Sequence, residues 1–253
     1  MTEFIYGHWP VMEALRAARR SIDQVLISET ADSRGVVAEI LGIAAERGVP
    51  VKRVPRRILD DLTQSTTHQS LALRVGSYPY VDLEAVMALA RKRDEKPMIL
   101  LLDLLKDPQN VGSLMRVADA VGVHGIIMQE RRNVAVTPAV VSASSGAVEH
   151  LQVVQVTNLV QAMRDLKAQD VWMVGLDIGP NVAPIDKTDL NMPIGIVLGS
   201  EGEGLRRLVR DTCDLLISLP MRGSVASLNV ATVGSVALYA AWQARGWSGW
   251  AHA

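Results

Sequence analysis

The sequence predicts an α/β protein: a mostly parallel sheet covered by helices on both faces, with a smaller α/β unit ahead of it. Three observations carry this reading. Short continuous apolar runs such as Met98–Leu102 and Ile194–Leu198 lack polar alternation, as strands buried on both faces require. These runs alternate with segments of helical periodicity, the mark of strand–helix–strand units. Aromatics make up only 4% of a chain that is 49% hydrophobic, which leaves a core of Val, Ile, Leu and Ala. At 253 residues the chain is long for one compact domain and comfortable for two.

Residues 1–76 form the first unit. Trp9-Pro10 opens an apolar-periodic helix through Val11, Met12, Ala14 and Leu15, with Pro10 near its first position. Gln24–Ser28 reads as a buried strand, and Val36–Arg47 as a helix stopped by Gly48. Val51–Val54 is a strand, Pro55 starts a short helix, and Leu71–Val75 is the last strand. Residues 77–96 form a linker: the turn-rich Gly76–Tyr80 leads to a short helix that Asp82 can cap, then to the charged run RKRDEK.

Residues 97–253 form the larger unit. Its strands are read at Met98–Leu102, Gly125–Met128, Leu151–Val156, Val171–Asp177, Ile194–Leu198 and Leu215–Leu219. Helices are read at Asn110–Val121, from Pro138, and at Asn158–Ala168, Glu203–Asp211 and Asn229–Ala244.

Composition and motifs exclude several function classes. A net charge of −1 argues against holding nucleic acid by bulk charge, although small basic clusters such as Lys52/Arg53/Arg56/Arg57 and Arg206/Arg207/Arg210 occur. No apolar run approaches the roughly 20 residues that span a bilayer, and the N-terminus has no secretory pattern. The single cysteine, Cys213, allows neither an internal disulfide nor a Cys-based zinc site, so a reducing cytoplasm is expected. His8, His68, His124, His150 and His252 show no ligand spacing, and no metal is expected. No GxGxxG, GxxxxGK[ST] or GxSxG stretch is present.

Three stretches remain for chemistry. In LLDLLKDPQNVGSLMRVADAVGV, Asp107-Pro108 turns the chain after a strand and Asn110 sits at an expected N-cap. Arg116 stands on an otherwise apolar helix, free to fork a phosphate or to pair with Asp107 or Asp119. In VLGSEGEGL, glycines 199, 202 and 204 let backbone approach a ligand, with Glu201 between them. In LPMRGSVASLNVA a strand ends at Pro220-Met221, and Ser227 and Asn229 lead into a helix as caps or as site residues.

Together, DPQNVGSLMR, VLGSEGEGL and LPMRGSVASLNVA resemble the three motifs of the SpoU (TrmH) family of RNA ribose 2'-O-methyltransferases, in the SPOUT superfamily. The likeness covers residues 98–245, in order and spacing. GHWPVMEAL and HQSLAL resemble the L30e-like RNA-binding domain of the branch that methylates guanosine in large-subunit (23S) ribosomal RNA. The resemblance implies a parallel sheet whose C-terminal segment is threaded as a trefoil knot. It implies S-adenosylmethionine held largely by backbone, with contacts at Gly199, Leu219 and Leu228 and neighbouring backbone at Leu176, Ile217 and Met221. The family's catalytic side chains correspond to Asn110, Arg116, Glu201, Ser227 and Asn229. A homodimer, a ribosomal RNA partner and a cytoplasmic location are implied as well, with transfer RNA or a non-catalytic ribosome-assembly role as alternatives.

Overall fold

The structure, a computed structural model, describes residues 2–179, 182–200, 202–225 and 227–250. It divides into two compact units. The first runs from the N-terminus to Pro79 and includes Val136–His150; the second comprises Tyr80–Ala135 and the chain from Leu151 onward.

The first unit begins with a strand that its sequence did not announce, β1 (Glu3–Tyr6), followed by α1 (His8–Ala17), β2 (Ile22–Ser28) and α2 (Val36–Glu46). Next come β3 (Val51–Val54), α3 (Arg56–Thr63) and β4 (Leu71–Val75). The four strands lie in the order β1-β4-β2-β3, with only β2 and β3 parallel. β1 is short and only partly buried apart from Ile5, so the hydrophobic pattern that reveals longer strands is absent from it.

In the second unit, Asp82 caps α4 (Leu83–Arg93) by accepting from the Ala85 amide at 2.8 Å, as its position before the apolar stripe requires. β5 (Met98–Leu102), α5 (Pro108–Ala120) and β6 (Gly125–Gln129) follow. The chain then leaves this unit for α6 (Pro138–Ala143) and a 3-10 turn, Ala147–His150. It returns as β7 (Val153–Val156), α7 (Leu159–Lys167), β8 (Trp172–Leu176), the two-residue β9 (Ala183–Pro184), β10 (Ile194–Leu198), α8 (Arg207–Thr212), β11 (Leu215–Ser218) and α9 (Val230–Ala244).

These strands form one seven-stranded parallel sheet in the order β7-β6-β5-β10-β8-β11-β9. β10 pairs β5 residue for residue from Ile194↔Met98 to Leu198↔Leu102, and every residue of both strands is buried. At roughly 1.5–3 kcal/mol per buried aliphatic side chain, this pair supplies a large share of the unit's hydrophobic stabilisation. α9 packs against α5 and β10. Gly234 makes that approach possible, because a Cβ there would lie 2.5 Å from both Leu114 and Leu198 side chains.

The return of Val136–His150 to the first unit buries Val140, Val141 and Val148 and is accompanied by polar contacts. Arg20 is buried. Its guanidinium forks Glu149, with Nε to Oε2 at 3.0 Å and Nη2 to Oε1 at 2.8 Å, and Nη1 donates to Glu3 at 2.8 Å. The Tyr78 hydroxyl donates to the Val148 carbonyl at 3.0 Å. Burial raises the Glu149 carboxyl above its usual range, opposed by Arg20.

The reading of a helix at Glu203–Asp211 needs correction, since α8 starts only at Arg207. Gly202 and Gly204 take positive φ values of 82° and 68°, and Ser200 and Gly204 exchange two backbone hydrogen bonds at 2.9 and 3.1 Å. That closed turn is incompatible with helical backbone.

Candidate active site

All strands of the larger sheet run the same way, so the loops after β5, β8, β10 and β11 gather at its carboxyl edge, where open α/β sheets place their ligands. The first candidate stretch enters there. Asp107, not Asn110, is the N-cap of α5: its carboxylate accepts from the Gln109 amide at 3.0 Å, and Pro108 takes the first helical position. Both residue types can cap, and the proline decides, since its fixed φ suits the first turn and it has no amide to satisfy.

Asn110 is thereby released from capping, and a chain of hydrogen bonds fixes which way its amide faces. Asn229 caps α9, its Oδ1 accepting from the amides of Ala231 at 2.8 Å and Thr232 at 3.3 Å. Its Nδ2 therefore faces the other way, and donates to Asn110 Oδ1 at 2.9 Å. Asn110 in turn directs its own side chain to the Asp107 carboxylate, whose pKa this hydrogen bond, together with the Gln109 amide, holds below the usual value. Two motifs separated by 119 positions are thus joined side chain to side chain, with both amides oriented from a helix start.

The second stretch supplies a tight backbone approach. A Cβ on Gly199 would lie 2.1 Å from the Gly204 carbonyl carbon, so only glycine closes the turn against the end of β10. Glu201 lies outside the described residues.

The remaining apolar candidates line the same edge. Leu176 and Ile217 are register partners at the ends of β8 and β11, and both are buried. Leu219 is half-buried, while Met221 and Leu228, in the loop after β11, are about two-fifths exposed. Gly199, Leu176, Ile217, Leu219, Met221 and Leu228 include no charged side chain, so this wall suits a ligand with flat or aliphatic surface, recognised through backbone groups. Ser227 is exposed two residues before the Asn229 cap.

Arg116 follows Asn110 on α5 by six residues. It occupies the exposed face of α5 with Gln109 and Ser113, about 9 Å further along the axis than Asn110. The structure brings Asn110 and Asn229 together at this edge, and Arg116 is exposed further along the same helix.

Sequence reasoning missed Asp107 as the anchor of this arrangement and Asp103 altogether. Asp103 is a carboxylate with no exposed surface, at the end of β5. A polar residue directly after an unbroken apolar strand was the available signal. Cys213 plays no part in acid–base chemistry, because burial pushes its thiol up to about 12. Among the described residues no group of three metal-ligating side chains occurs.

The geometry agrees with relationships across the chain. Residues 97–239 match the SpoU rRNA Methylase family, and residues 4–81 match the family of RNA 2'-O ribose methyltransferase substrate-binding domains. The chain is 37% identical over 243 residues to the Bacillus subtilis protein named Putative TrmH family tRNA/rRNA methyltransferase YacO, covering 96% of each chain. It is 40% identical over 239 residues to a Mycobacterium ulcerans protein named Uncharacterized tRNA/rRNA methyltransferase, covering 94% of this chain and 76% of that one. Among solved structures, the SpoU methyltransferase AviRb from Streptomyces viridochromogenes superposes with a TM-score of 0.80 at 24% identity, over 98% of this chain and 92% of that one. The chain belongs to the SpoU (TrmH) family and is an RNA 2'-O-ribose methyltransferase.

Proposed function

We propose that the carboxyl edge of the seven-stranded sheet transfers the methyl group of S-adenosylmethionine to the ribose 2'-hydroxyl of a guanosine in 23S ribosomal RNA. The observation that carries this is the 2.9 Å bond from Asn229 to Asn110, which unites the first and third motifs at the edge where a ligand would sit. The cofactor reading is supported by the uncharged wall of Gly199, Leu176, Ile217, Leu219, Met221 and Leu228, and by AviRb, whose structure is described in complex with AdoMet. When bound, the cofactor supplies an electrophilic methyl group. The strand order, with β10 inserted between β5 and β8 and β11 beyond β8, supports the threaded C-terminal crossing.

The protein's own residues orient the nucleophile and handle its proton. Asn110 and Asn229 hold the ribose in line, which is the first requirement of a displacement. Arg116 clamps the adjacent phosphate and favours the developing alkoxide; a guanidinium is already protonated and has no acceptor site for the proton itself. Glu201 or a water takes the proton, with Ser227 orienting it. The outer placement of Arg116 on α5 fits a site completed in a homodimer. Half-exposed apolar residues on α9, Val236 and Tyr239, offer surface for a second copy.

The N-terminal unit presents the RNA, in the cytoplasm. A ribosomal target is supported by the match of residues 97–239 to the SpoU rRNA Methylase family. Transfer RNA is the second reading, favoured by a 25%-identical structure named A. aeolicus TrmH/SpoU tRNA modifying enzyme, although that match spans only 66% of this chain. Mapping ribose methylation in total RNA from cells with and without the gene separates these. Loss of one 23S methyl group is expected; loss of a tRNA methyl group would transfer the assignment, and an unchanged map would leave a non-catalytic role.

A further inference from the structure

The turn between β10 and α8 carries the backbone expected to meet the cofactor, and it is rich in glycine, at positions 199, 202 and 204. Glycine-rich backbone has high conformational entropy and holds no shape unless its surroundings impose one. The structure shows what imposes it. The Asp103 carboxylate has no exposed surface, accepts two hydrogen bonds from Arg206 and forms an ion pair with its guanidinium. Backbone N reaches Oδ2 at 3.0 Å, and Nε and Nη2 reach Oδ1 at 2.7 and 2.6 Å. The same Nη2 donates to Gln129 Oε1, at the end of β6, at 2.6 Å. Asp103 is itself tied to the turn's other end, its amide donating to the Leu198 carbonyl at 2.8 Å.

The turn is therefore pinned at entry by the Asp103 backbone and at exit by the Asp103 side chain, while the Ser200–Gly204 bonds close its neck. We propose that Asp103, Arg206 and Gln129 form a positioning clamp that holds the 199–206 turn in the conformation methyl transfer requires. None of the three needs to touch substrate or cofactor. A buried carboxylate is costly unless fully paired, so keeping one here, where an apolar residue would stabilise the strand end more simply, points to a demand for geometry. The reading rests on the methyltransferase function proposed for this edge, and its test has one arm that does not.

Asp103→Asn keeps size and removes the charge that grips the guanidinium; Arg206→Lys keeps charge and removes the fork. The control is Asp214→Asn, which breaks the 2.7 Å pair with Lys167 at the opposite end of the sheet. In hydrogen exchange of the full-length protein without ligand, D103N and R206K should speed amide exchange in the peptide covering 199–206 by roughly tenfold or more, with other peptides unchanged. D214N should leave that peptide as in wild type. In turnover per cofactor-binding site, D103N should lower kcat roughly tenfold to a hundredfold with KM for RNA within threefold, R206K should fall between, and D214N should stay within twofold.

Unaltered exchange at 199–206 in D103N overturns the clamp whatever the activity. Faster exchange with kcat intact shows an anchor without catalytic consequence and overturns its positioning role. If the wild type methylates no RNA, the function proposed above fails, and the exchange result alone then decides whether the clamp exists.

Discussion

The two ends of the seven-stranded sheet use polar groups differently. At the amino end, side chains close off backbone. Arg245 donates to the carbonyls of Lys96, Pro97 and Met192, His124 accepts from the Met98 amide at 3.0 Å, and Asp214 accepts from the Met173 amide at 2.8 Å. At the carboxyl end, side chains hold each other and the loops, as in Asp107–Asn110–Asn229 and Asp103–Arg206–Gln129. The first arrangement completes a fold. The second fixes groups whose orientation would otherwise be free, which stability alone does not demand. Substitutions at the two ends should therefore fall into separate classes, with turnover lost at one end and melting temperature at the other.

The largest effect is expected from Arg116→Ala. It removes an exposed side chain, so folding is expected to be unaffected, while turnover should fall by at least roughly a hundredfold to a thousandfold. Calorimetry should find S-adenosylmethionine affinity within a few-fold of wild type. Lost cofactor binding instead would make Arg116 part of the scaffold and blur the contrast.

Asn229 sharpens the comparison, because one residue does both jobs. Asn229→Ala removes the α9 cap, costing about 1 kcal/mol, together with the bond to Asn110. Asn229→Ser keeps a capping oxygen but has no amide to donate. Thermal melts should place N229S near wild type and N229A several degrees lower, while turnover falls about tenfold or more in both. If N229S recovers full turnover, the Asn110 link has no catalytic value.

That double role also shows what the sequence could and could not disclose. The strands Met98–Leu102 and Ile194–Leu198 were legible to the residue, because doubly buried strands leave unbroken apolar runs. Asn229 was legible as a helix start. From its local pattern Asn110 read as a cap, and only the motif resemblance made it a site residue, since its release depends on Asp107 and Pro108 taking the cap position first. The late start of α8 was hidden because Glu203–Asp211 has helical propensity, and only the Ser200–Gly204 closure overrides it. The transfer of Val136–His150 to the first unit was beyond any local pattern. It brings together partners distant in sequence, such as Arg20 and Glu149, 129 positions apart.

At the amino end, Arg245→Met should cost about 2–4 kcal/mol, since it strips hydrogen bonds from three carbonyls at once. Turnover per folded molecule should stay within twofold at a temperature well below the melt. A large loss of kcat in a folded R245M protein would show that the two ends are coupled, and the division drawn above would fail.

The smallest effect, and the most specific, concerns pH. His124 is buried, and its Nδ1 accepts from Met98, so the ring's proton sits on Nε2, which donates to Glu95 at 3.0 Å. Adding a second proton would set an N–H against the Met98 amide. Burial is the main cause that lowers the His124 pKa; Glu95 opposes it, and the cations Arg93 and Arg245 reinforce it. The folded-state pKa thus lies below the unfolded value near 6.5, and the unfolded chain binds more protons between the two. The contribution is complete above about pH 6.5 and is lost as pH falls toward the folded-state value. Melting temperatures measured from about pH 8 down to about pH 5.5 should fall more steeply for wild type than for His124→Asn, which has no titrating ring. Parallel slopes would show that other groups govern the acid limb. A change in turnover for H124N at about pH 8 would place His124 on the wrong side of the comparison, because the amino end is held here to do structural work alone.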